Sequence, residues 1–144
     1  TAPTSTLLTI GTQYRINGSG NNLIAYCFHP VEGFSKFEHY VGNGNADGPY
    51  IDTGFKPAFL ILKAAITNDA TNWQMLDNDR SPFNAGNKIH LRANSSNAEF
   101  TNYPVDFLSN GFKIKNTDAD MNTNDNTYIY LAFAETPFKY SNAR

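Results

Sequence analysis

The sequence predicts an all-β fold, an antiparallel β-sandwich of jelly-roll type in a single domain, and three observations lead there. Short apolar segments recur at turn-rich intervals, nineteen asparagines supply the turns, and helical periodicity is hard to find along the 144 residues. Asn tolerates positive φ and bonds its own backbone, so a chain rich in it reads as many short strands joined by tight connections. The run 59–65 is too short and too evenly apolar to argue for a helix.

Taken in order, Thr1-Ala2-Pro3-Thr4-Ser5-Thr6 reads as a linker from a longer chain, and residues 7–144 as the sandwich. Strands are predicted at 7–10, 22–28, 58–65, 73–77, 88–92, 105–108, 112–115 and 127–134. Most are bounded by Gly, Asn, Asp or Pro, as expected for strands joined by turns. Segments 7–28 and 112–133 are similar at an offset of 105, which places Asn17 on Asn122, Ile24 on Ile129 and Phe28 on Phe133. Each reads as a short strand, an Asn-rich connection and a longer aromatic strand, so the two ends are expected to form neighbouring hairpins that close the sandwich. Phe28, Phe59, Phe133 and Trp73 are assigned to the core. The single Cys27 excludes an internal disulfide and, within an apolar run, is expected to be buried and inert.

A net charge of −2 with no run of Lys or Arg argues against nucleic acid and against an anionic membrane surface. No segment approaches the length of a membrane span. His29, His39 and His90 share no metal-ligand spacing, and no Gly-x-Ser-x-Gly elbow is present. Catalytic residues and cofactors are therefore not assigned. Asp118, Asp120 and Asn122 carry the D-x-D-x-N opening of a calcium loop, but Thr123 and Ile129 stand where an EF-hand needs Gly and Glu. A polar connection is favoured there, with metal binding as the alternative. Glycoside hydrolysis would need two paired carboxylates, and Glu32, Glu38, Asp47 and Asp52 offer candidates with nothing to single out a pair.

The Gly-rich loop 42–49 lacks the Lys-Ser/Thr ending of a phosphate loop and suits an ordered surface connection. Tyr40, Tyr50 and Tyr103 lie beside polar turns, where tyrosine offers an apolar face and a wet hydroxyl to a sugar ring. Tyr40, Asn43, Asn45, Asp47 and Tyr50 are the expected ligand contacts.

Residues 47–63, in which Gly54-Phe55-Lys56-Pro57 turns into an apolar run ending at Lys63, resemble a block of bacteriophage tail-fibre and related virion proteins. Segments 72–77, 106–112 and 127–135 follow in the same order, and the ending from Pro137-Phe138 through Asn142-Ala143-Arg144 is similar to the C-terminal end of such fibres. The resemblance implies a non-enzymatic virion domain at a fibre tip, commonly trimeric. It would contact other virion proteins and meet a host surface glycan or protein outside the cell, without nucleic acid or membrane insertion. The alternatives are a purely structural or oligomerisation role and, less favoured, a glycan-degrading enzyme.

Overall fold

The computed structural model describes residues 4–65, 71–84 and 86–137, so the expected fibre-like ending at 138–144 lies outside the described residues. One helical turn, α1 (Tyr14–Asn17), precedes nine strands: β1 (Ser35–Val41), β2 (Tyr50–Asp52), β3 (Pro57–Ala64), β4 (Gln74–Asp77), β5 (Lys88–Arg92), β6 (Phe100–Tyr103), β7 (Val105–Leu108), β8 (Gly111–Ile114) and β9 (Thr127–Ala134). They form two antiparallel sheets, the sandwich that the sequence predicts. The larger runs β1-β9-β3-β4-β5-β6 and the smaller β2-β8-β7. Among the described residues, no helix is long and apolar enough to cross a membrane.

The core follows from strand alternation. Tyr128, Tyr130 and Ala132 of β9 point inward beside Leu60, Leu62 and Ala64 of β3, all at most 5% exposed. Ile51, Val105, Phe107, Phe112 and Ile114 of the smaller sheet meet them. The Phe112 ring stands edge-on to Tyr130, with centroids 5.3 Å apart. Such a contact adds to the area buried because the ring edge is positive and the face negative. Lys88 is also buried, and its ammonium donates to the carbonyls of Ser81 and Phe83 while lying 5.2 Å from the Phe107 ring centroid. Desolvation lowers its pKa, and these contacts tie the 78–87 connection to the sandwich.

The two outer faces differ sharply. On the smaller sheet, register sets Tyr50 beside Lys113 and Lys113 beside Asp106, with ion pairs Lys113–Asp47 and Lys115–Asp106. That face is built for water. On the larger sheet, Phe37, Leu131, Ile61, Met75 and Leu91 are cross-strand partners in sequence, forming one apolar row over five strands.

The N-terminal expectations fail. Segments 7–10 and 22–28 have strand composition but join neither sheet, so the two ends do not form matched hairpins. Segment 112–133 itself divides, β8 lying in the smaller sheet and β9 in the larger. Residues 4–34 form an arm whose Phe28 ring reaches Phe37 at 5.3 Å on the larger sheet's outer face. Phe28 is 58% exposed, Cys27 is exposed and Trp73 is 37% exposed, so none of these three belongs to the core. Phe59 and Phe133 lie on the outer side of the larger sheet, facing each other across strands, rather than in the interior.

Candidate functional site

The two loops singled out in the sequence are one structure. Residues 42–49 join β1 to β2, residues 115–126 join β8 to β9, and the two lie against each other at one end of the sandwich. Each is stiffened by the same local device. Asn43 Oδ1 accepts from the Asn45 amide at 3.0 Å, and Asn45 Oδ1 accepts from the Asp47 amide at 2.9 Å. Asn116 Oδ1 does the same for Asp118, and Asp118 Oδ1 for Asp120. Side chains that bond the backbone two residues on replace the hydrogen bonds a loop would otherwise take from water. Alternating Asn and Asp in both loops is the sequence signal for this ladder.

Asn122, fully buried, joins the ladders. Its Oδ1 accepts from the Asn43 amide at 2.8 Å, and its Nδ2 donates to the carbonyls of Asn45 and Asn116 at 2.8 and 2.7 Å. Backbone bonds add to it, from Gly42 to Asn126, from Gly44 to Asn122 and from Asp125 to Gly42. The exposed groups on this frame include the side chains of Asn43, Asn45, Ala46, Asp47, Lys115, Thr117, Asn124 and Asp125. Tyr50 stands 46% exposed at the start of β2, its hydroxyl donating to Asp52 Oδ1 at 3.2 Å, with desolvation and then Asp52 raising its pKa. Asp47 is exposed and paired with Lys113, which holds its carboxyl below the usual range.

Tyr40 does not belong to this surface. Register pairs it with Tyr128, whose inward direction it shares, and it is 7% exposed with the two rings stacked at 5.2 Å. Its hydroxyl donates to the Met121 carbonyl at 2.8 Å, and burial pushes its pKa well up. Tyr103 is likewise buried, at 3%.

The D-x-D-x-N segment is filled by the protein's own donors. Asp120 Oδ1 accepts from the Asn72 amide at 2.7 Å, while Oδ2 accepts from Gln74 Nε2 at 2.6 Å and lies 3.5 Å from an Arg92 nitrogen. The Tyr103 hydroxyl sits 3.0 Å from Asp120 Oδ2 and 2.9 Å from Asp118 Oδ1, and burial between these carboxylates raises its pKa strongly. A cation would have to displace these bonds, so Asp118 and Asp120 act as a staple between the loop and strands β4 to β6, while Asn122 ties the loop to residues 42–49. Asn72, Gln74 and Arg92 carry no local signal of this role, because they meet Asp120 only through the fold. Among the described residues, no group of three or more His, Cys, Asp and Glu is placed to hold a metal. Of the acidic candidates, Glu38 pairs with Lys36 at 3.6 Å and lies 3.4 Å from the Tyr130 hydroxyl, while Glu32 lines a separate groove with Lys36 and Thr53.

His90 sits beneath the staple, fully buried and stacked on Tyr103 at 4.6 Å. Its Nδ1 faces the Lys88 carbonyl at 3.4 Å, which places the proton on Nδ1 and leaves Nε2 without a partner among the described residues. Desolvation lowers its pKa, Arg92 acting in the same direction and the Lys88 carbonyl, Asp120 and Asp118 in the opposite one. The unfolded chain therefore takes up a proton near pH ~6.5 while the folded chain does not. Stability is expected to fall as pH drops below ~6.5 toward the folded value, and His90→Gln should flatten that slope in urea titrations between about pH 7 and about pH 5.

No curated protein and no solved structure matches the chain. The profile of a family described as a domain of unknown function, DUF7483, matches residues 1–137, arm and sandwich together, and the chain belongs to the DUF7483 family.

Proposed function

We propose that this domain is a non-catalytic recognition module of a virion fibre, outward-facing, which meets a host surface polysaccharide through the paired loops 42–49 and 115–126. The observation that carries this reading is the preorganised frame. Exposed amides and carboxylates at Asn43, Asn45, Asp47 and Asn124 stand on a backbone fixed by a fully buried Asn122. Hydroxyl-rich sugars are bound by such fixed donors and acceptors with an aromatic face nearby, and Tyr50 supplies one. The fibre setting is supported by the ordered resemblance of residues 47–63, 72–77, 106–112 and 127–135 to tail-fibre proteins.

Asn124→Ala combined with Tyr50→Ala removes two exposed groups and leaves Asn122 and the side-chain ladder untouched. The double variant should bind host cells or their purified polysaccharide at least ~10-fold more weakly, with an unchanged unfolding midpoint. Equal binding by the variant, measured by calorimetry or cell adsorption, removes the loop pair as the contact. Release of reducing ends from the polysaccharide by the purified protein would overturn the non-catalytic reading.

A further inference from the structure

We infer that residues 25–31 of the arm close onto the free edge of β1 as a seventh strand of the larger sheet, a strap that seals this edge against strands from outside. β1 ends the sheet: β9 lies on one side of it and, among the described residues, no strand on the other. Its backbone groups divide by parity. Gly42 donates to the Asn126 carbonyl and Phe34 accepts from the Ala134 amide, so the even-numbered residues face β9. The amides and carbonyls of Phe37, His39 and Val41 therefore face away from it. Such a row is a template for a further strand, and natural sheets cover or blunt it.

The pairing has already begun. Val31 and Ser35 exchange both backbone bonds, at 3.1 and 2.8 Å, across a short connection in which Gly33 takes φ 71°. A ladder continued from that pair without slip sets His29 opposite Phe37, Cys27 opposite His39 and Ala25 opposite Val41. These are the residues of β1 whose backbone groups point outward. Pro30 falls opposite Lys36 with its nitrogen on the new outer edge, where a missing N–H costs no ladder bond. Opposed residues share a face, so Phe28 comes beside Glu38 and Tyr26 beside Tyr40, on the side where Tyr40 points inward. The arm's own alternation agrees. Ile24, Tyr26 and Phe28, 80, 80 and 58% exposed, are the large apolar residues of the run, with the smaller Ala25 and Cys27 between them. In the structure the ladder stops at Val31, and Phe28 lies against Phe37 on the outer face, where it lines a groove with Tyr26, Ile61 and Trp73. Closing the strap gives up those apolar contacts and gives the outward amides and carbonyls of β1 their partners.

Hydrogen exchange on the full chain, read by NMR, tests this apart from any ligand reading. The amides of Phe37, His39 and Val41 should exchange about 10-fold or more slowly than in Cys27→Pro, which removes a ladder N–H from the strap. The β3–β9 ladder should be equally protected in both chains. Hα–Hα contacts should join Phe28 to Glu38 and Tyr26 to Tyr40, the non-hydrogen-bonded pairs of this register. Mild oxidation of His39→Cys should link the new thiol to Cys27 within one chain, whereas Glu38→Cys, which faces the other side, should keep both thiols free. Fast exchange at those amides, protection that survives Cys27→Pro, a different register, or equal linking in both cysteine variants would each overturn the inference. A disulfide between two chains would overturn it as well, by naming another copy as the occupant of the edge.

Discussion

Asp120→Ala should cost about 3–5 kcal/mol of folding stability, the largest effect expected of any single polar substitution in the domain. The carboxylate is nearly buried and gathers the Asn72 amide, the Gln74 side-chain amide, the Tyr103 hydroxyl and the Arg92 guanidinium. Removing it leaves Arg92, whose side chain is 20% exposed, with its charge uncompensated and two donors, the Asn72 amide and Gln74 Nε2, unpaired, while the Tyr103 hydroxyl keeps Asp118 Oδ1. The penalty of stranding those groups exceeds the net worth of the bonds themselves. Asp120→Asn keeps the shape and one acceptor oxygen but turns an amide toward other donors, so it should fall between the alanine variant and the wild-type chain. Urea unfolding followed by circular dichroism would measure both, with the midpoint shifting and the denaturant slope retained. Calcium provides the counter-test: a rise in unfolding temperature on adding the ion to the wild-type chain, lost in Asp120→Asn, would show that the segment is a metal site rather than a staple.

Gly42→Ala should cost about 3 kcal/mol and loosen the loop pair selectively. A Cβ at this position would press into the carbonyl of Thr123, which belongs to backbone and cannot swing aside. The same residue is gripped from both sides, its amide donating to Asn126 at 2.9 Å and its carbonyl accepting from Asp125 at 3.0 Å. Relief of the clash therefore has to break one of these bonds or separate the loops. Hydrogen exchange should accelerate across 43–48 and 122–126 while the β3–β9 ladder keeps its protection. Gly11→Ala is the control, since a Cβ there meets nothing within 4 Å, and its effect should stay within about 0.5 kcal/mol.

Both predictions depend on contacts that the sequence does not display, and the division between legible and illegible features has a physical basis. Strands β3, β4, β5, β7, β8 and β9 were readable because apolar side chains alternate within them and turn formers bound them. Strand β1 was missed because Lys36, Glu38 and His39 interrupt its apolar pattern, and only its ladder with β9 fixes it as a strand. Strands β2 and β6 are three and four residues long with mostly exposed side chains, too little pattern to detect. Residues 22–28 illustrate the opposite error: local composition cannot report whether a sheet edge is free to pair with.

The candidate site was half legible. Loop 42–49 and the Asp118 segment were both singled out, but their union through Asn122 is a contact across 79 positions of sequence. Tyr40 was assigned to the surface from its polar neighbours, whereas its direction is set one strand away by Tyr128. The buried donors around Asp120 come from β4 and β5, whose sequences read simply as strands.

The ladder of alternating Asn and Asp side chains divides the labour within each loop. Asn43, Asn45, Asn116 and Asp118 spend an oxygen each on the backbone two residues on, whereas the Ala46 side chain is exposed and enters none of those bonds. Chemical identity at Ala46 can thus be changed by design while the scaffold beneath stays in register. On the recognition role proposed above, a change of ligand at this end of the molecule needs no refolding, only a new side chain on an old frame.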